Sequence, residues 1–513
     1  MINQKKAGVV LHLISLVINI SISLIYIPIM IRHLGKSEYG VYALIISLIG
    51  LMNILDLGFG NAVVRYTAKF ITIGDKEKEY RLITMFFILY FCISVLVIFI
   101  GTVIYLQLPQ IFANSMNVFE IERAKILFAI MVTSLVITFP LSVFTFVMIA
   151  YERFVFARII GIIRYIIFPC IMIPLLYMGY KSVAIAIVLS ILSIIKMLIN
   201  MVYCFRKLKI KLIFNNFDYK LLKSILSFSF WVFLNVITAR IYWSTDQVIL
   251  GIFMGAETVA VYAIASQISS YYNLFGLAIN SVFLPKITTM VTAESSPKEL
   301  SEIFIRMGRL QFIWLTYIYI GFTLFGKYFI KWWVGPEYDI AYYIIIILMF
   351  SLTITLIKFI GPNILLAKNM NKFRSILYLV LALMNVVLTI PLAKLWGGIG
   401  CAIATAIVMV IGNGFIIDIY YYKVIKINII LFWKNIIRLS IPTGISFIIG
   451  ILLKTNIEID SPTLFVTNVI LFSVGHGLIM WFFGLNKYEK NLIISLLLVP
   501  LKKKRRIKHD SLF

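Results

Sequence analysis

Long apolar runs, separated by short polar and mostly basic stretches, fill the chain almost from end to end. A helix rises 1.5 Å per residue, so crossing a hydrocarbon core of ~30 Å takes about 20 predominantly apolar residues. Runs of that kind predict about fourteen membrane spans, at 9–31, 40–64, 83–106, 125–149, 156–178, 182–203, 225–252, 258–284, 310–330, 340–366, 374–393, 399–421, 437–453 and 462–484. The thirteenth is the shortest of them. Segment 491–501, NLIISLLLVPL, is too short to span and is expected in the interface. The first run follows MINQKKAG, is too long for a secretory leader and lacks a small-residue cleavage site, so it reads as an uncleaved span.

Composition agrees with that pattern. The chain of 513 residues is 62% hydrophobic and 13% charged, whereas soluble domains are roughly 45–50% apolar and about 25% charged. The fold class expected is an all-α integral membrane protein. Its net charge of +26 does not point to nucleic acid, because no soluble domain presents a basic face. The cations sort by loop instead: with a cytoplasmic N-terminus, inside loops and both termini hold 34 Lys and Arg, and the outside loops nine. Positive loops stay in the cytoplasm, so both ends are placed there. The richest inside stretches are Arg206 to Lys211 and the tail Lys502 to Arg506, which would lie against anionic lipid.

Chemistry outside the bilayer has little room. The longest loops are about two dozen residues, short of the ~50 of a small domain. The sequence carries no phosphate-binding glycine-lysine loop, no GxSxG and no HExxH. Cys92, Cys170, Cys204 and Cys401 are scattered through apolar runs, and the four histidines are equally dispersed, so no metal site, disulfide framework or cofactor is expected.

Charges inside spans carry the functional signal, since an ion at the bilayer centre costs about 2.5–3.5 kcal/mol and normally faces protein or a wet cavity. Arg164, Arg240 and Lys358 are candidate cavity cations, with Lys196 nearer a span end, where snorkelling also explains it. Cations from both halves suit an anion such as a diphosphate head group. Asp56 and Asp246 are candidate coupling sites for Na⁺ or a proton, or else helix caps and ion-pair partners. Lys358 precedes Gly361 and Pro362, and a proline kink there would free the Lys358 carbonyl and mark a gate. Asp418 reads as interfacial polarity, and Tyr242-Trp243 and Tyr271-Tyr272 read either as interfacial aromatic belts or as aromatic steps for a sugar.

The chain also repeats itself. Gly35 to Leu44, GKSEYGVYAL, matches Gly255 to Ile264, GAETVAVYAI, 220 residues later, and the register holds from Val41-Tyr42-Ala43 to Asn53 against Asn273. Both copies follow the first span of a six-span block, and spans one and seven leave the same side. Parallel repeats about an axis along the membrane normal are an architecture of alternating-access transporters.

Two motifs add a family resemblance. HLG-x-x-x-YG-x-Y-x-L at 33–44 and DLGFG at 56–60, followed by Arg65, with a second match at Asp246-Gln247-x-Ile249-x-Gly251, resemble bacterial polysaccharide repeat-unit flippases. These are Wzx-type members of the multidrug/oligosaccharidyl-lipid/polysaccharide exporter superfamily. The resemblance implies two parallel six-helix lobes, MATE-like, at 1–205 and 224–422, joined by a basic cytoplasmic linker at 206–223. Two additional transmembrane helices follow at 423–484, then an interfacial segment and polybasic tail at 485–513. It further implies alternating-access transfer of an undecaprenyl-diphosphate-linked oligosaccharide from the inner to the outer leaflet of the bacterial cell membrane. The implied partners are that lipid-linked oligosaccharide, membrane lipids and other polysaccharide-assembly membrane proteins. Three alternatives stay open: a peptidoglycan-precursor flippase, a polysaccharide polymerase or ligase, and a multidrug exporter. Short outer loops count against the enzyme, and cationic cavity residues against export of organic cations.

Overall fold

The computed structural model describes residues 4–214, 218–292, 296–368, 370–456 and 461–494, and every regular element among them is helical. The helices run α1 (Gln4–Leu34), α2 (Lys36–Met52), α3 (Phe59–Ile73), α4 (Lys76–Phe112), α5 (Val118–Ala150), α6 (Phe154–Tyr177), α7 (Ser182–Arg206) and α8 (Tyr219–Met254). Then follow α9 (Ala256–Thr292), α10 (Pro297–Trp333), α11 (Asp339–Leu356), α12 (Ile360–Ala367), α13 (Asn371–Met409), α14 (Ile417–Tyr420), α15 (Ile429–Asn456) and α16 (Pro462–Ile479). Wider π-turns flank α14 at Val410–Ile416 and Tyr421–Ile425. The tail at 502–506 and most of segment 491–501 lie outside the described residues.

Twelve segments of the described residues are long and apolar enough to cross a membrane. The difference from fourteen has two sources. The expected eleventh and twelfth spans both lie within the single segment Lys372–Ile425, as two helices joined where Gly397 leaves helical geometry at φ 56°. The expected eighth falls on α9, which is not among the twelve. The expected second span is broken: α2 ends at Met52, a single 3-10 turn covers Asn53–Asp56, and Leu57 and Gly58 are left-handed before α3.

Local chemistry sets the helix starts. Asp75, between α3 and α4, accepts the Lys78 amide at 3.0 Å. That bond, with the Lys78 ammonium, holds its carboxyl below the ordinary carboxylate range. Asn117 and Glu120 close a reciprocal capping box at α5. Gly35 and Gly255 start α2 and α9 with almost the same dihedrals, φ 79° and ψ 167° against φ 83° and ψ 178°. Only glycine adopts that region freely, so the sequence repeat is a repeat of backbone as well.

By packing, the helices form two units. One holds the chain up to Tyr271 with Trp333–Ile345 and Asn371–Val408; the other holds Tyr272–Trp332, Ile346–Met370 and the chain from Met409. Within the first, α4 packs on α5, α5 on α7, α1 on α6 and α2 on α8. Gly40 is there pressed against the Ala256 carbonyl, so any side chain at 40 would overlap backbone. In the second, Tyr317, Phe325, Phe465 and Phe472 interlock α10 with α16. Large apolar side chains such as Phe99 and Val387 are instead strongly exposed, as a lipid-facing surface requires.

Candidate functional site

The first family motif is a junction of helix ends. Glu38 is buried and accepts the Ser182 amide at 3.0 Å and its hydroxyl at 2.6 Å, capping α7. Ser37 donates to Glu120 of the α5 capping box, and Gly40 admits the Ala256 backbone. The second motif builds the break before α3. Asp56 lies against the amides of Gly58 and Gly60 and accepts the Tyr90 hydroxyl at 2.5 Å. Val232 closes over Gly58, and the Phe146 ring over Gly60. Asp56 therefore caps a helix break, with Arg240 in electrostatic range.

Arg164 on α6 has a different setting. It is half-buried, lies within electrostatic range of Tyr42 and Lys196, and has no carboxylate partner among the described residues. Arg158, one and a half turns earlier on α6, also acts on Lys196. Tyr26 on α1 interacts electrostatically with Tyr42, packs edge-on against Phe168 and is buried, yet its hydroxyl has no hydrogen-bond partner among the described residues. Three cations without a carboxylate partner among the described residues, beside an unpaired hydroxyl, make a cationic cluster. Arg240, on α8, is exposed.

Asp246, on the same helix, is fully engaged. It is 2% exposed and accepts the hydroxyls of Tyr262 at 2.5 Å, Thr405 at 3.0 Å and Thr389 at 3.3 Å. Thr405 also stands 3.3 Å from Asn385 Oδ1. Its hydroxyl carries one proton, so it can satisfy only one of those two oxygens. The result is a buried carboxylate crowded by hydroxyl and amide oxygens, a donor set of the kind that takes a proton or a small hard cation. Among the described residues no three His, Cys, Asp or Glu side chains gather as a metal site.

Lys358 lies in the second unit. The helix ends at Leu356, three residues turn, and α12 resumes at Ile360. The Lys358 carbonyl is not freed, as the proline suggested, because it accepts the Gly361 amide at 2.9 Å in a tightened turn. The ammonium bonds Asp418 at 2.8 Å and the Asn413 carbonyl, under the ring of Trp433. Trp433 Nε1 reaches the other Asp418 oxygen at 2.7 Å. Asp418 is thus no interfacial residue but the buried partner of Lys358. Gly361, followed by Pro362 on α12, sits against the Tyr421 hydroxyl, which fills the space of a side chain. Tyr272 is core as well, bonded to Thr353 at 2.6 Å, and Tyr271 is buried, so neither is an open aromatic step.

Tyr26, Asn385, Thr389, Thr405 and Trp433 do not stand out in the sequence as site residues. Each is an uncharged polar residue within an apolar run, and only the signal of a nearby charge could have singled it out.

The family described as polysaccharide biosynthesis protein matches residues 6–291. The chain is 23% identical over 386 residues to the "Putative O-antigen transporter" of Shigella flexneri, covering 73% of this chain and 88% of that one. In fold it is similar to lipid II flippase MurJ in an inward closed conformation, with a TM-score of 0.73, 17% identity, and 95% and 99% of the two chains covered. It is also similar to an inward-facing multidrug resistance MATE transporter, with a TM-score of 0.61, 14% identity, and 78% and 96% covered.

Proposed function

The chain belongs to the polysaccharide biosynthesis protein family, and we propose that it is a flippase that moves a lipid-linked glycan between the leaflets of a membrane. The relative named as an O-antigen transporter and the fold likeness to a lipid II flippase support this reading. The finer reading is an undecaprenyl-diphosphate-linked oligosaccharide repeat unit, carried from the inner to the outer leaflet of the bacterial cell membrane by alternating access. Residues 1–205 and 224–422 act as the two lobes, the linker 206–223 and both termini are cytoplasmic, and residues 423–484 stand outside the duplication.

The observation that carries the proposal is the set of donors without acceptors. Arg164 and Lys196, with Arg158 and the Tyr26 hydroxyl nearby, need an anion, and a diphosphate offers the charge and the oxygens. An apolar cavity of about 480 Å³ between α10, α11 and α15, lined by residues such as Ile320, Phe350, Ile437 and Phe447, suits an isoprenoid chain. Coupling to Na⁺ or H⁺ falls to Asp246, a buried carboxylate crowded by hydroxyl and amide oxygens, rather than to Asp56, which holds the Tyr90 hydroxyl and the amides of a helix break. Lys358 is held in its ion pair in this conformation, and with Gly361 and Pro362 it serves the movement of α11 against α12.

The test is leaflet transfer in reconstituted vesicles. Lipid-linked oligosaccharide placed in one leaflet should become accessible to a probe on the other side when the protein is present. Asp246→Asn should make that rate insensitive to Na⁺ and to pH gradients. Equal exposure in protein-free vesicles overturns the proposal. The fold likeness favours one second reading, transfer of a peptidoglycan precursor, which shares the diphosphate. A peptidoglycan precursor outcompeting the oligosaccharide in the same vesicles would establish it instead.

A further inference from the structure

A groove of about 390 Å³ runs along α6 and α7 in the first unit. Its floor is apolar, formed by Phe156 of α6 and by Ile195, Leu198 and Val202 of α7, and one end is closed by Arg206 and Lys207. Phe156 stacks on Tyr203 at 4.1 Å, which fixes the wall where the two helices meet. Ile195, Leu198 and Val202 are all exposed, as are Arg206 and Lys207, and neither cation pairs with a carboxylate among the described residues. Arg153 and Arg158, both exposed, flank Phe156 on the α6 side.

We propose that this groove is a binding site for a membrane glycerophospholipid with an anionic head group, its acyl chain along α7 and its phosphate on Arg206 and Lys207. Charge and length support that occupant. Lipid-facing helix surface is ordinarily apolar along its length, and a trough ending on unpaired cations matches a chain that ends in a phosphate. From Ile195 to Lys207 the helix rises about 18 Å, close to the ~15 Å of one leaflet of the core. A single acyl chain fits that length, whereas a polyprenyl chain of many isoprene units exceeds it. The inference does not depend on what the protein transports.

Native mass spectrometry of the detergent-purified full chain, titrated with phosphatidylglycerol or phosphatidylcholine of matched acyl chains, tests it. The wild type should retain phosphatidylglycerol in preference. R206Q/K207Q should weaken that binding by roughly thirtyfold, the effect of removing two cations from an anionic contact. K69Q/K423Q, which removes the same charge at exposed sites away from the groove, should leave it unchanged. L198W fills the trough without changing charge and should weaken both lipids, so the proposal remains testable if the double variant fails to fold. Equal retention of the two lipids by the wild type overturns it. So does a loss in K69Q/K423Q as large as in R206Q/K207Q, or unchanged retention by L198W.

Discussion

Two pockets in the first unit occupy related places in the 220-residue repeat and have been given opposite chemistry. In the first half, Tyr26 and Tyr42 stand where the second half has Asp246 and Tyr262, 220 residues on. Arg164 on α6 acts on the first of these sites and Asn385 on α13 lies at the second. The first pocket holds donors that lack an acceptor, and the second holds oxygens that crowd a carboxylate. The repeat carries the tyrosine pair and the helix ends, and one position, tyrosine at 26 or aspartate at 246, sets the difference in charge between the two sites. The pocket already full of partners should be a stability element. The one that lacks them should be expendable for folding and needed for transport.

Asp246→Leu should break that comparison most sharply. It leaves the Tyr262, Thr405 and Thr389 hydroxyls without their acceptor and should cost about 3–5 kcal/mol of stability, seen as a lowered thermal midpoint. A midpoint equal to wild type would mean that the carboxylate does not hold the second pocket together. Next come the paired glycines. Gly35→Ala forces an unfavourable dihedral in open space and should cost about 1–3 kcal/mol. Gly255→Ala adds a clash with the Ser115 carbonyl, 2.5 Å from where the methyl would sit, and should be the worse of the two. Equal costs would show that the backbone strain is the whole effect.

The tyrosines sharpen the contrast further. Tyr262→Phe removes a bond to a carboxylate and should lower stability by about 1–3 kcal/mol. Tyr26→Phe removes a hydroxyl that has no partner among the described residues, so its thermal midpoint should match wild type. The same reasoning leaves the Arg164→Ala midpoint at the wild-type value, because no ion pair among the described residues is lost.

Much of this was legible in the sequence, and for physical reasons. The requirement of about 20 apolar residues per crossing located the helices, and the match of Gly35 to Leu44 with Gly255 to Ile264 located the repeat. DLGFG pointed to a special place in the second span, which is a capped break. The pairing of Lys358 with Asp418 was hidden because the partners are 60 residues apart and sequence spacing carries no tertiary contact. Thr389, Thr405 and Asn385 were hidden because a single hydroxyl or amide in an apolar run looks like ordinary helix–helix packing. The break between the expected eleventh and twelfth spans was legible in the Gly397-Gly398 pair, and Gly397 is where the backbone leaves helical geometry.

The claim that the first-half pocket receives an anionic head group is tested most directly by one rate. Transfer of a lipid-linked diphosphate oligosaccharide across reconstituted vesicles should fall by tenfold or more in Arg164→Ala, the order of one charged hydrogen bond to a phosphate, while its thermal midpoint stays at the wild-type value. A wild-type transfer rate in a folded Arg164→Ala protein would contradict the account.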